Sequence, residues 1–176
     1  MRYNKSLVLY TLVILLVSCG ASLSSIKKTT DEFEGHTIDR MYSNYLSGGI
    51  PILDDATIEL NVSRFESKLE NVSYDLIVRY SGEGWLFISE GNSLILLIDG
   101  ESYSFTGDGS SSSRKVIMGS VVQEFAFYQT DTDMINKIAN AQVVKVKIKG
   151  SNGAKERHFS KANFDNFKKF ANSHIY

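Results

Sequence analysis

From residue 57 to residue 159, apolar side chains recur at every second position, and this alternation restricts the available folds more than any other feature of the chain. In residues 73–80, Tyr74, Leu76, Val78 and Tyr80 fall on one side, while Ser73, Asp75 and Arg79 fall on the other, with Ile77 as the exception. Ile58, Leu60 and Val62 alternate with Thr57, Glu59 and Asn61, and Val144, Val146 and Ile148 alternate with Lys145, Lys147 and Lys149. A period of two belongs to strands, and one apolar face per strand belongs to an antiparallel sheet lying on a core.

Turn chemistry divides the rest of this region. Ser81-Gly82-Glu83-Gly84 predicts a break before a short strand at Trp85-Leu86-Phe87-Ile88, and Glu90-Gly91-Asn92 a break after it. Asp99-Gly100 is a two-residue hairpin signal, because glycine supplies the positive φ that such turns require. The run Leu94-Ile95-Leu96-Leu97-Ile98 has no polar side and is expected at the centre of the sheet, covered on both faces. Residues 107–113, GDGSSSS, read as a flexible loop, followed by one long strand from about Lys115 to Tyr128. Gly150-Ser151-Asn152-Gly153 reads as a turn into a return strand.

Two helices are signalled late. Asp131 and Asp133 suit an N-cap and first turn, with Met134, Ile135, Ile138 and Ala141 on one face. Ser160 is an N-cap for the second, where Phe159 and Phe164 have the spacing of a hydrophobic staple. Phe164, Phe167 and Phe170 form a stripe that predicts docking on the sheet. The expected fold class is therefore α+β: an antiparallel β-sheet meander of roughly seven to nine strands with two helices late in the chain, the C-terminal one packed on the sheet.

The amino terminus has a different character. Met1-Arg2-Tyr3-Asn4-Lys5 carries two positive charges and leads into an uncharged apolar run, residues 7–17, that is too short for the about 20 residues a membrane-spanning helix needs. It ends at Leu16-Val17-Ser18-Cys19-Gly20, and Leu16 to Cys19 resembles the lipobox of bacterial lipoprotein precursors. The resemblance covers about the first 20 residues. It implies lipidation of the Cys19 sulfur, cleavage after Ser18 and acylation of the new amino terminus. Gly20, in place of an aspartate after the cysteine, implies sorting to the outer membrane facing the periplasm if the source is Gram-negative. The bland alternatives for Cys19 are a small residue beside an ordinary cleavage site, or a buried thiol. The domain reading is a signal peptide over 1–18, a small, polar, flexible tether over 19–30 and one α+β domain over 31–176.

Composition narrows function by exclusion. The mature part keeps 17 basic and 20 acidic residues, a formal charge of about −3, which gives no electrostatic case for nucleic acid. Cys19 is the only cysteine, so no internal disulfide can form and stability rests on the core. There is no G-x-S-x-G elbow and no phosphate-cradling glycine loop, and the serines at 110–113 have no histidine near them in sequence. His36 lies near Asp31, Glu32 and Glu34, but without a recognised ligand spacing, and Asp54-Asp55 suits a turn after Pro51 better than a pair of glycosidase carboxylates. No catalytic residue, cofactor or metal is therefore expected.

Lys145, Lys147 and Lys149 are the nearest thing to a charged patch. The return strand should set Glu156 opposite Lys147 or Lys149 and His158 opposite a neighbour, which weakens the patch. The functional expectation is a lipid-anchored cell-envelope binding or assembly module. Its partners are the membrane through the anchor and an envelope protein or small ligand, with an inhibitor or toxin-neutralising role through the loop 107–113 as the alternative and an envelope hydrolase behind it. Replacing Cys19→Ser should abolish incorporation of labelled palmitate and release the protein from membranes. Retention of both label and membrane partitioning overturns the lipobox reading.

Overall fold

The computed structural model describes residues 24–48, 56–67 and 72–175. Its strands are β1 (Ser25–Asp31), β2 (His36–Tyr42), β3 (Thr57–Ser67), β4 (Ser73–Glu83), β5 (Gly91–Ile98), β6 (Glu101–Gly107), β7 (Arg114–Met118), β8 (Val121–Thr130), β9 (Val144–Gly150) and β10 (Gly153–His158). All pairings are antiparallel, in the order β1-β2-β3-β4-β8-β6-β5-β9-β10, with β7 also on β8. Two helices follow late among the described residues, α1 (Thr132–Asn140) and α2 (Lys161–His174). The α+β expectation holds in its coarse form, although the sheet dominates, has ten strands in place of seven to nine, and is no simple meander, since β4 pairs with β8 and β5 with β9. No described helix is long and apolar enough to cross a membrane.

The sheet curls on itself. Arg40 pairs with Ser63, but farther along the same edge Tyr45 pairs with Glu59, so the β2 side carries one extra residue. That extra residue is a bulge at Ser43, whose φ of 60° is unusual for a residue with a side chain. The bulge bends the chain until Ser47 bridges His158 at the end of β10, joining the third and last strands of the sheet order. Asn44 locks the bend. Fully buried, it donates from Nδ2 to Leu60 O (2.7 Å), and its Oδ1 accepts from Asn163 (2.8 Å) and Asn166 (2.9 Å) of α2.

The concave face holds the core. Ile58, Leu60, Val62, Leu76, Val78, Leu94, Leu96, Val144, Val146 and Ile148 meet Ile135 and Ile138 of α1 and Phe167 and Phe170 of α2. Asp131 caps α1 by accepting from Met134 N (2.8 Å), and the expected staple is present, with the Phe159 and Phe164 rings 5.2 Å apart. Asn163 at N3 reaches back to accept from Ser160 N (2.8 Å). Each buried phenylalanine contributes on the order of 2–3 kcal/mol by leaving water, which suits a chain with one cysteine and no internal cross-link.

Several local expectations need correction. The stretch read as tether supplies β1 over Ser25–Asp31, paired with β2 along its whole length. Its side chains bury little because an edge strand is held by its ladder, and the alternating threonines and lysines suit that position. Cys19, Asp54 and Asp55 lie outside the described residues. The single long strand after the serine loop is two strands, β7 and β8, because Gly119 takes φ 55° and turns the chain. Asp99-Gly100 makes the expected hairpin turn, with φ 48° and 94°.

Residues 85–88 form a loop in place of the expected strand. The cause is Glu124 of β8, a fully buried carboxylate that accepts from Leu86 N (2.6 Å), Phe87 N (2.9 Å) and Ile88 N (2.9 Å). Those N–H groups are thereby withdrawn from any ladder. Ser110 Oγ donates to the same carboxylate at 2.5 Å, so the serine loop is pinned to the loop before β5. Gly150 permits the close approach of this loop to β9, since a Cβ there would lie 2.1 Å from Leu86 O. Replacing Glu124→Gln sets an amide NH₂ among four donors and should lower unfolding free energy by about 3 kcal/mol. Urea titration should show a lower midpoint with an unchanged slope.

Candidate functional site

The convex face of β5, β6, β9 and β10 is built by the same alternation that fills the core. On β5, Leu94, Leu96 and Ile98 point inward, which leaves Ile95 and Leu97 on the outside. Leu97 is 36% exposed, so the apolar run 94–98 is interior in sheet order but is not covered on both faces. No described element packs over it, because both helices occupy the concave side.

Its neighbours are arranged by register. Across one ladder Ile95 faces Ser104 and Leu97 faces Ser102, two short side chains that leave the aliphatic pair uncovered. Across the other, Ile95 faces Lys147 and Leu97 faces Lys145. Glu156 then opposes Lys147, and His158 opposes Lys145. The result is a groove of about 450 Å³ with an aliphatic floor, a serine wall and a lysine–histidine rim. That size lies within the usual range of ligand sites, about 300–1,000 Å³.

The lysine patch is thinned as expected, but only in part. Lys147 Nζ binds Glu156 Oε1 at 2.8 Å, and the lysine's hydrogen bond holds the Glu156 carboxyl below its ordinary range. Lys145 faces a histidine and Lys149 faces Ala154, so neither has a carboxylate opposite it. Gly48 packs against the His158 ring: a Cβ there would sit 2.9 Å from Nδ1.

Other sequence candidates resolve differently. Ser110 is fully buried, donates to Glu124 and accepts from Arg114 Nε (3.1 Å), which removes it as a free nucleophile and anchors the loop that an inhibitor would have to present. Phe164, Phe167 and Phe170 are core or packed against it.

The acidic residues around His36, set aside in the sequence for want of a ligand spacing, are brought together in part. The turn between β1 and β2 sets Asp31 opposite His36 and brings potential ligand atoms of Asp31, Glu34 and His36 within 4.8 Å of one another. The β1–β2 hairpin, and not the sequence spacing, supplies the geometry. Asp31 Oδ1 accepts from Phe33 N (2.9 Å) and Glu34 N (3.0 Å); the Glu34 N–H is the main reason that its carboxyl lies below the ordinary range. The cluster is thus accounted for by turn formation.

Farther round the convex face, burial holds the Asp75 carboxyl above its ordinary range, opposed by the charge of Arg40. No protein-family model, curated protein or solved structure matches this chain. The native state binds the Asp75 proton more tightly than the unfolded chain does. Stability should therefore fall as pH rises from the unfolded carboxyl value, about 4, through the higher native value. Asp75→Asn should stabilise the fold against urea at about pH 7 and make little difference at about pH 3, where both states are protonated.

Proposed function

We propose that this protein is a lipid-anchored binding module of the bacterial cell envelope, and that the groove over Ile95 and Leu97 is its ligand site. The anchor reading rests on Leu16-Val17-Ser18-Cys19 following a basic and then apolar leader. Cys19 is the lipid-attachment residue, and Gly20 assigns the domain to the outer membrane, facing the periplasm, in a Gram-negative source. With β1 beginning at Ser25, five residues separate the anchor from that strand, a span of at most about 20 Å, so the domain stands close to the lipid surface.

The observation that carries the binding reading is the exposure of Leu97 at the bottom of a trough. Strands alternate apolar-in and polar-out when one face meets water, and β5 breaks that rule where its neighbours carry serine. An aliphatic floor gains about 25 cal/mol for each Å² covered, and lysines at the rim favour carboxylates. The matching ligand is apolar in its middle and anionic at its end, either a segment of an envelope protein or a small amphiphile. Ser110, the buried serine of the glycine loop, is already held by Glu124 and Arg114, which favours binding over hydrolysis.

The test compares cross-linked complexes recovered from native membranes by the lipidated protein and by its Leu97→Asp and Lys145→Glu variants. Each substitution should reduce recovery of a specific partner at least about tenfold, equivalent to roughly 1.4 kcal/mol. Unfolding midpoints should stay near that of the parent. Unchanged recovery with both variants rejects the groove as the site.

A further inference from the structure

A second hollow, of about 280 Å³, lies elsewhere on the convex face, where β2, β3, β4, β7 and β8 run side by side. Arg40, Arg79 and Lys115 line it, together with Gln123, Tyr42 and Phe125. The register places them: Arg79 opposes Phe125 across one ladder and Glu59 across the other, while Lys115 opposes Gln123.

Only part of this positive charge is satisfied internally. Glu59 is buried and takes Arg79 Nη1 at 2.7 Å, and its second oxygen accepts from Ser43 N (3.1 Å) and Asn61 Nδ2 (3.0 Å). That carboxylate is fully committed. Both arginines nevertheless keep a buried Nε–H with no hydrogen-bond partner. A buried donor without an acceptor is destabilising, and two on one small hollow call for an explanation. The Asp75 carboxyl acts on Arg40 by charge but makes no hydrogen bond to its Nε–H, and aromatic rings hold the other sides. The Arg40 guanidinium lies over the Phe127 ring at 5.9 Å, and the Lys115 ammonium lies over the Phe125 ring at 5.5 Å.

We propose that this hollow is an oxyanion site, taking one carboxylate or phosphate group between Arg40, Arg79 and Lys115. Guanidinium groups offer planar pairs of donors that match such groups, and a small shift of the two arginine side chains on binding would turn their buried Nε–H groups toward the oxyanion as well. Two sources share this chemistry: a free oxyanion in solution, and the phosphate of an anionic phospholipid headgroup. The second rests on the lipid-anchor reading, since β1, beside β2, is the strand nearest Cys19 in sequence.

The experiment uses the mature chain with Cys19→Ser, so that no acyl chain contributes to binding. In one arm inorganic phosphate is titrated while the arginine Nε–H resonances are followed. In the other, sedimentation is compared with vesicles of phosphatidylcholine alone and of phosphatidylcholine with phosphatidylglycerol. Saturable shifts of the Arg40 and Arg79 resonances, weakened about tenfold or more by Lys115→Glu, establish the site for a free oxyanion. Sedimentation with the phosphatidylglycerol vesicles only, weakened to the same degree, establishes it for a headgroup. Lys169→Glu, on an exposed side of α2, should change neither. Lys115→Gln repeats the comparison should the charge reversal perturb folding. Binding in neither arm, or binding indifferent to both Lys115 variants, overturns the proposal. Palmitate labelling at Cys19 reports on the anchor independently of either result.

Discussion

Ser43 is one residue more than the ladder between β2 and β3 can accommodate, and the bend it forces gives this sheet its shape. Beyond the bulge the chain crosses to β10, so that the third and last strands of the order share a connecting segment. Without that bend, the concave face would have no reason to wrap around α2. The left-handed backbone at Ser43 is offset by hydrogen bonds on both sides: Ser43 N reaches Glu59, and Asn44 ties Leu60 to two asparagines of the helix.

A pattern of buried polar groups runs through the molecule. Asn44, Glu59 and Glu124 are all buried, and each gathers several donors or acceptors from segments distant in sequence. Such groups are costly when left unpaired and specific when fully satisfied. In a chain with one cysteine they provide fixed points where a disulfide could have served. Glu124 does so by capturing three successive backbone N–H groups, which leaves the loop before β5 with a single bridge, Ile88 to Gly150, in place of a strand. Against that economy, the unpartnered Nε–H groups of Arg40 and Arg79 stand out.

Much of the sheet was legible because a period of two leaves a direct trace in the sequence. Strands β4 and β9 follow their alternation, β3 and β5 form where their residues placed them, the Asp99-Gly100 turn is as expected, and α1 and α2 begin at their expected caps. What was missed had no local trace. Strand β1 has a composition compatible with a solvated tether and becomes a strand only because β2 offers a free edge. Residues 85–88 look like a strand and lose that state to a carboxylate more than 30 residues away. The lysine positions of the groove were foreseen, whereas its floor was assigned to the interior of the sheet.

The sequence alone determined which side of each strand is apolar, where the late helices start and, through Leu16 to Cys19, the reading of an anchor. These depend on neighbours within a few residues, where side-chain period and capping chemistry act. Only the tertiary structure decided that Leu97 stays open to solvent, that Arg40, Arg79 and Lys115 line one hollow, and that the sheet closes through residues 44–47. Each of those outcomes turns on which strands become neighbours and in what register. Pairing across the sheet is a long-range contest among many possible edges, and no run of adjacent residues records its result.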